Sequence, residues 1–346
     1  MSYPIDQILR QKNDFWDLYT FKNEAHNNQA YDDVKDVKAS PLFLDPYMSS
    51  YLMDNGLKAE YPDGKKFAVC LTHDVDDIYP PPLHTVASSI YSLGHLDFNE
   101  FIDHSFWTFK GKDHSPYINF KEIMEIEEKY DARSTFFFMA ADRDIRRFRY
   151  NVDDLSDKLG ALVDRGFEVG LHGGYYSYRD PDLILTEKKR ITKILNKDIV
   201  GYRNHYLKFK IPESWEYLAR CGFRYDATIG NNRVIGFKNG LCHPFKPSLA
   251  DNKSIDIVEL PLVLADFTLF NAGIPMDRLW EIARTMIDRV EKCGGVATIL
   301  WHSDVFSASY RKPWVKFYIK LLDYCRLKNS WMASGDQVSE WIRKGY

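Results

Sequence analysis

The 346-residue chain sets 46 Lys+Arg against 49 Asp+Glu, a formal charge of −3, with 45% hydrophobic and 27% charged residues. That balance excludes a chain disordered for want of apolar residues, and also a generic nucleic-acid binder, which needs clustered Lys and Arg to neutralise phosphates. The longest apolar stretch, Ile257 to Phe270, is broken by Glu259 and Asp266, and Asp6, Arg10, Lys12 and Asp14 interrupt any export-type segment, so the expectation is a cytoplasmic protein without a membrane span.

Residues 1–62 show no β/α alternation and run into Tyr61-Pro62-Asp63-Gly64, a turn signal. They read as an N-terminal extension packed on a single large domain over 63–346. A strand is predicted at Phe67–Thr72, from a run rich in apolar and β-branched residues. The stretch Ile78 to Ser115 then breaks the rhythm. It opens with Pro80-Pro81-Pro82, carries Tyr91, Phe98, Phe101, Phe106, Trp107 and Phe109, and reads either as a lid or binding loop or as a helical insertion that adds core.

From there strands and helices alternate. A helix at about Phe120–Tyr130 precedes a strand at Ser134–Ala140, and the arginine-rich stretch Arg143 to Arg149, tempered by Asp142 and Asp144, reads as a solvated face, with recognition of a phosphate or acidic sugar as the alternative. Helices at about Asp153–Arg165, Pro181–Asn196 and Pro212–Cys221 separate strands at Glu168–Leu171, Val200–Arg203 and Tyr225–Ile229. A strand at Ile257–Val263, a helix at Met276–Cys293, a strand at Val296–Trp301, a helix at Lys312–Lys328 and a strand at Trp331–Ala333 complete the series. Pro181 and Pro212 suit first helical turns, and Gly222 and Gly294 suit helix ends. Such alternation predicts βα units around a parallel sheet. The five cysteines (Cys70, Cys221, Cys242, Cys293, Cys325) include no CxxC pair, which argues against a thiolate zinc site and fits a reducing compartment.

In parallel β/α folds catalytic groups leave the C-terminal ends of strands. Here the first strand exits into Thr72-His73-Asp74-Val75-Asp76-Asp77, the third into His172-Gly173-Gly174, the fourth into Arg203-Asn204-His205 and the penultimate into Trp301-His302-Ser303-Asp304. Alternation in an extended strand turns Asp74 and Asp76 to one side with Val75 behind. Two carboxylates together invite a divalent cation, which relieves their repulsion. His172 can add an imidazole, and the glycines after it would let backbone come close to a ligand or metal.

These motifs, in this order over roughly residues 65–335, resemble the NodB-homology polysaccharide deacetylases, the family-4 carbohydrate esterases. Asp74-Val75-Asp76 resembles the family's base and metal-ligating aspartates, Ser134-Thr135-Phe136-Phe137-Phe138 its second strand, and Gly170-Leu171-His172 the start of its H-S/T-x-x-H metal motif. Gly201-Tyr202-Arg203 is similar to its arginine motif and Leu300-Trp301-His302 to its late leucine-x-histidine motif. The resemblance implies a distorted (β/α)7-type barrel of the glycoside hydrolase/deacetylase kind. One departure is plain: Tyr176 stands where the family has its second histidine. The chain also resembles a divergent subgroup with T-H-D-V-D and R-x-H-Y-L motifs, in which His205 is the candidate replacement; a structural or substrate-binding role for His205 is the alternative. His73, His84 and His243 are lesser candidates.

The resemblance thus implies a metal-dependent hydrolase that removes an N-acetyl group from a sugar or sugar precursor in surface-polysaccharide metabolism. Asp74 would be the base, Arg203 its brace and His302 the acid, positioned by Asp266 or Asp304. Asp76, His172 and His205 would hold one divalent ion, zinc first, with cobalt or nickel as alternatives. Tyr175, Tyr176 and Tyr178 are candidates to stack on a sugar ring. Hydrolysis of another, cyclic amide C–N bond, and a carbohydrate-binding protein that has lost the metal, remain open.

Overall fold

The computed structural model describes residues 4–22, 41–141, 150–249, 253–307 and 309–345. The arginine-rich stretch from Arg143 to Arg149 lies outside them. Nine parallel strands form the sheet: β1 (Ala68–Val75), β2 (Thr135–Met139), β3 (Glu168–Gly173), β4 (Gly201–Asn204), β5 (Tyr225–Asp226), β6 (Val258–Glu259), β7 (Leu262–Ala265), β8 (Val296–Leu300) and β9 (Trp331–Ala333). Their hydrogen-bonded order is β6-β5-β4-β3-β2-β1-β8-β7, with β9 paired to β1. The two ends of that path, β6 and β7, are separated in sequence only by Leu260-Pro261, and Leu262 N–H donates to Ile229 O just beyond β5 (2.8 Å), so the chain itself curls the sheet toward closure. The predicted Ile257–Val263 strand is therefore two strands broken at a proline, which has no N–H to give a ladder. This is the distorted β/α barrel expected from the motifs.

Strand β1 is central and buried at every position, as a strand covered on both faces must be. It pairs with β8 from Ala68 to Thr72 on one side, and on the other with β9 over Ala68–Cys70 and then with β2 over Thr72–Val75. The strand runs three residues further than Thr72, so Asp74 belongs to the ladder rather than to a loop after it.

The sheet is wrapped by α6 (Phe120–Glu128), α7 (Ser156–Asp164), α8 (Pro181–Leu195), α9 (Glu213–Arg220), α10 (Asp266–Phe270), α11 (Met276–Cys293) and α12 (Lys312–Leu327), which follow α1 (Pro4–Leu9), α2 (Asn13–Tyr19), α3 (Tyr47–Asp54), α4 (Pro82–Gly94) and α5 (Phe98–Lys110) and precede α13 (Gly335–Arg343). Local chemistry sets their ends. The Asp180 carboxylate caps the N–H groups of Asp182 and Leu183, with Pro181 in the first turn of α8, and Gly294 ends α11 at φ 59°. Pro212 is the residue before α9 rather than inside its first turn.

The stretch 78–115 is a pair of helices, α4 and α5. The N-terminal segments contact the barrel: Cys242 N–H donates to Ser49 Oγ (2.9 Å), Tyr61 Oη donates to Gly295 O (2.9 Å), and the Phe21 and Trp215 rings lie 5.6 Å apart. Among the described residues no helix is long and apolar enough to cross a membrane.

Candidate active site

Arg203 is fully buried on β4, and three acceptors account for its position. Its Nε donates to Ala227 O (2.8 Å), and its Nη1 donates to Thr72 Oγ1 (2.8 Å) and to Asp74 Oδ1 (2.9 Å). Beneath it the Phe137 ring lies 4.8 Å from the guanidinium carbon, a cation–π contact. Burial alone raises the pKa of Asp74, but Arg203, His172 and His302 outweigh it and hold the carboxyl below its usual range. Asp74 is therefore ionised at neutral pH.

Asp76 follows two residues on. Its Oδ1 lies 3.2 Å from His172 Nε2, and its Oδ2 lies 3.7 Å from both His205 Nε2 and His302 Nε2. Burial again raises the pKa, but His205, His172 and His302 bring it well below the ordinary value.

The proton on His172 is fixed by its other neighbour. Nδ1 lies 3.0 Å from Arg203 O, across the His172–Arg203 register of β3 and β4, and a carbonyl can only accept. In the neutral ring Nε2 is then a lone pair facing Asp76 Oδ1, which is buried and has no hydrogen-bond partner among the described residues. Two acceptors at 3.2 Å need positive charge between them. Asp76, His172 and His205 each offer one ligand atom, all within 4.8 Å of one another. One carboxylate and two imidazoles suit zinc and related first-row ions, and the His172–Arg203 carbonyl contact is the outer bond that orients a ligating imidazole. The residues present fit a divalent cation.

His205 reaches this cluster because the chain turns sharply after β4. Tyr206 and Leu207 both adopt left-handed conformations (φ 58° and 52°), unfavourable for side chains of their size, and consecutive strained residues concentrate at functional sites. The His205 and His172 rings meet edge to face at 5.2 Å. Tyr176, four residues after His172, is 38% exposed and lies against Tyr175 and Arg179 instead.

His302 faces the same carboxylates from β8. Asp266 holds it twice, accepting from the His302 backbone N–H (2.7 Å) and lying 2.8 Å from ring Nδ1. Burial opposes the charged ring, yet Asp266, then Asp76 and Asp74, carry its pKa to about 10. Asp304 is engaged elsewhere, by Arg311.

Of the residues predicted from sequence, the structure brings together Asp74, Asp76, His172, Arg203, His205 and His302. His73 points into the core, held between Trp301 O and Glu127 (2.7 Å each); His84 meets the Tyr117 hydroxyl (3.0 Å), and burial lowers the pKa of His243 to about 4. The glycines after His172 act differently from expectation. A Cβ on Gly173 would come within 2.1 Å of the Tyr202 hydroxyl, so the position makes room for a neighbouring ring, not for a ligand. At the rim, Tyr206 packs 5.7 Å from Tyr175, whereas Tyr178 is buried. Thr72 went unrecognised, although it lies two residues before Asp74 and the alternation that aligns Asp74 with Asp76 aligns it too.

Two solved structures share this fold. A protein of Mycobacterium smegmatis assigned as a polysaccharide deacetylase aligns with TM-score 0.55 at 21% identity, over 83% of this chain and 93% of its own. One of Pseudomonas aeruginosa PAO1, likewise assigned, aligns with TM-score 0.56 at 12% identity, over 84% and 96%. No family model matches the sequence, and no curated protein matches it. At these identities the likeness establishes the barrel, and the chemistry rests on the site.

Proposed function

We propose that this chain is a cytoplasmic metal-dependent deacetylase of the NodB-homology class that hydrolyses the acetamide of an N-acetylated sugar in surface-polysaccharide metabolism. The observation that carries the reading is the juxtaposition of an Arg203-braced carboxylate, an Asp-His-His cluster and an Asp266-held imidazole at one rim. A binding protein needs no base, brace and acid around a cation site. That two proteins assigned as polysaccharide deacetylases share the fold supports the substrate class.

A bound divalent cation would supply Lewis acidity and an acidified water, with Asp76, His172 and His205 as its ligands. Asp74 takes the proton of the attacking water at Oδ2, the oxygen 3.7 Å from His172 Nε2, while Oδ1 stays with Arg203. Arg203 keeps that carboxylate ionised in a buried setting. His302 is held protonated and donates from Nε2 to the departing amine, since its Nδ1 is taken by Asp266. The rings of Tyr175 and Tyr206 give a sugar an aromatic edge to rest on.

The test is metal loading followed by an acetate-release assay on N-acetylated saccharides. About one zinc, cobalt or nickel ion per chain and metal-dependent release are expected; a chain that retains no ion under any loading sinks the proposal.

The role of His302 carries its own signature. Asp266 is the main contributor to its raised pKa, so Asp266→Asn lowers that pKa. A general acid is active below its pKa, and the alkaline limb of the kcat–pH profile should therefore move down by about one unit or more. An unmoved limb would remove His302 from proton transfer.

A further inference from the structure

The two helices that follow Asp76-Asp77 are built inside out. On α4 the buried residues are Ser88 and Ser92, and on α5 His104. Ser89 Oγ meets Ser105 Oγ between the helices (2.8 Å), and Ser92 Oγ meets Ser309 Oγ (2.9 Å). Tyr91, Phe101 and Trp107 are half-buried, while eight large apolar side chains face solvent instead. On α4 these are Leu83, Val86, Ile90 and Leu93, the first 81% exposed; on α5 they are Phe98, Ile102, Phe106 and Phe109, the last 86% exposed.

The α4 spacing is three, four, three, the narrow a/d seam by which one helix packs on another. Together the eight residues leave roughly 900 Å² open, close to what each partner gives a standard interface. Charge decides what kind of partner fits. Helix α4 contains no Asp, Glu, Lys or Arg, and the remainder of the hairpin sets Asp97, Glu100 and Asp103 against Lys110. Helices that lie on anionic lipid carry Lys and Arg on their polar face, the opposite of this arrangement.

We propose that the α4–α5 hairpin is a dimerisation surface, pairing with the same hairpin of a second copy about a two-fold axis to form a four-helix bundle. Each hairpin supplies half of such a bundle: two antiparallel helices with an apolar seam that no other described residue covers. The hairpin is also fixed to the site. Lys312 forms ion pairs with Asp97 (3.3 Å) and Glu100 (2.7 Å), and Ser309 meets Ser92, so the segment that follows His302 rests on the proposed bundle.

Sedimentation equilibrium of the full chain tests this. The expected mass is twice 40.5 kDa at micromolar concentration, and Ile90→Glu with Leu93→Glu should halve it while far-UV circular dichroism and metal retention stay as in the parent. Leu327→Glu, more exposed than either of those residues but on α12, should leave the dimer intact. A parent chain that stays monomeric through tens of micromolar, or a dimer that survives the double substitution, overturns the proposal. Flotation of a monomeric parent with phosphatidylcholine/phosphatidylglycerol vesicles, abolished by the same double substitution, overturns it in favour of a membrane surface.

Discussion

Arg203→Met is expected to destabilise the protein by about 3–5 kcal/mol and to abolish turnover, because it leaves Asp74 ionised, buried and without its partner. Arg203 contributes most to holding the Asp74 carboxyl below its usual range against the opposing effect of burial, so without the guanidinium its pKa rises and the carboxylate loses the partner that braces it as a base. Thr72 Oγ1 and Ala227 O lose their donor at the same time. Urea denaturation measures the loss. A double variant, Arg203→Met with Asp74→Leu, should recover more than half of it, since removing both members of a buried pair costs far less than orphaning one. If the single and double variants unfold together, the pair is not what holds this part of the barrel.

Asp74→Asn separates chemistry from metal binding. Asparagine keeps an oxygen for Arg203 Nη1 and leaves Asp76, His172 and His205 untouched, so metal content should stay near that of the parent, while the buried Arg203 charge left without its counter-ion lowers the denaturation midpoint. Turnover should fall about 10²–10⁴-fold, the usual loss when a general base goes. The comparison is Asp76→Ala, in which the ion itself should be lost. Retained acetate release in Asp74→Asn would assign the proton transfer to another group.

Much of this arrangement could be read from residue order, for a physical reason. Parallel strands buried on both faces need continuous apolar runs, and such runs stand out: Phe67-Ala68-Val69-Cys70-Leu71 and Thr135-Phe136-Phe137-Phe138 mark β1 and β2 without ambiguity. Once the strands are placed, their exits follow, and with them Asp74, His172, Arg203 and His302. What residue order could not give was orientation. Asp266 and Asp304 both flank a strand exit, and only the fold shows that Asp266 grips His302 while Asp304 turns to Arg311. The left-handed turn at Tyr206-Leu207, which brings His205 back to the cluster, involves residues that do not advertise it. The hairpin escaped for the opposite reason. Ser88 and Ser92 face in while its leucines and most of its phenylalanines face out, so a reading that assigns apolar side chains to the core cannot choose between a lid and added core. The start of α13 is legible in sequence too, as the capping box of Ser334 with Gln337.

The central place of β1 has a consequence for how the molecule is made. Its carbonyls and amides are matched by β8 and β9, which leave the ribosome more than two hundred residues later. Until then the strand that carries Asp74 has an open, apolar edge, the feature that invites pairing with the wrong chain. The nascent polypeptide thus passes most of its synthesis with a wholly buried strand of the finished fold unprotected. Such long-range pairing predicts slow folding, and the rim that gathers Asp74, His172 and His302 cannot be completed before β8 is made.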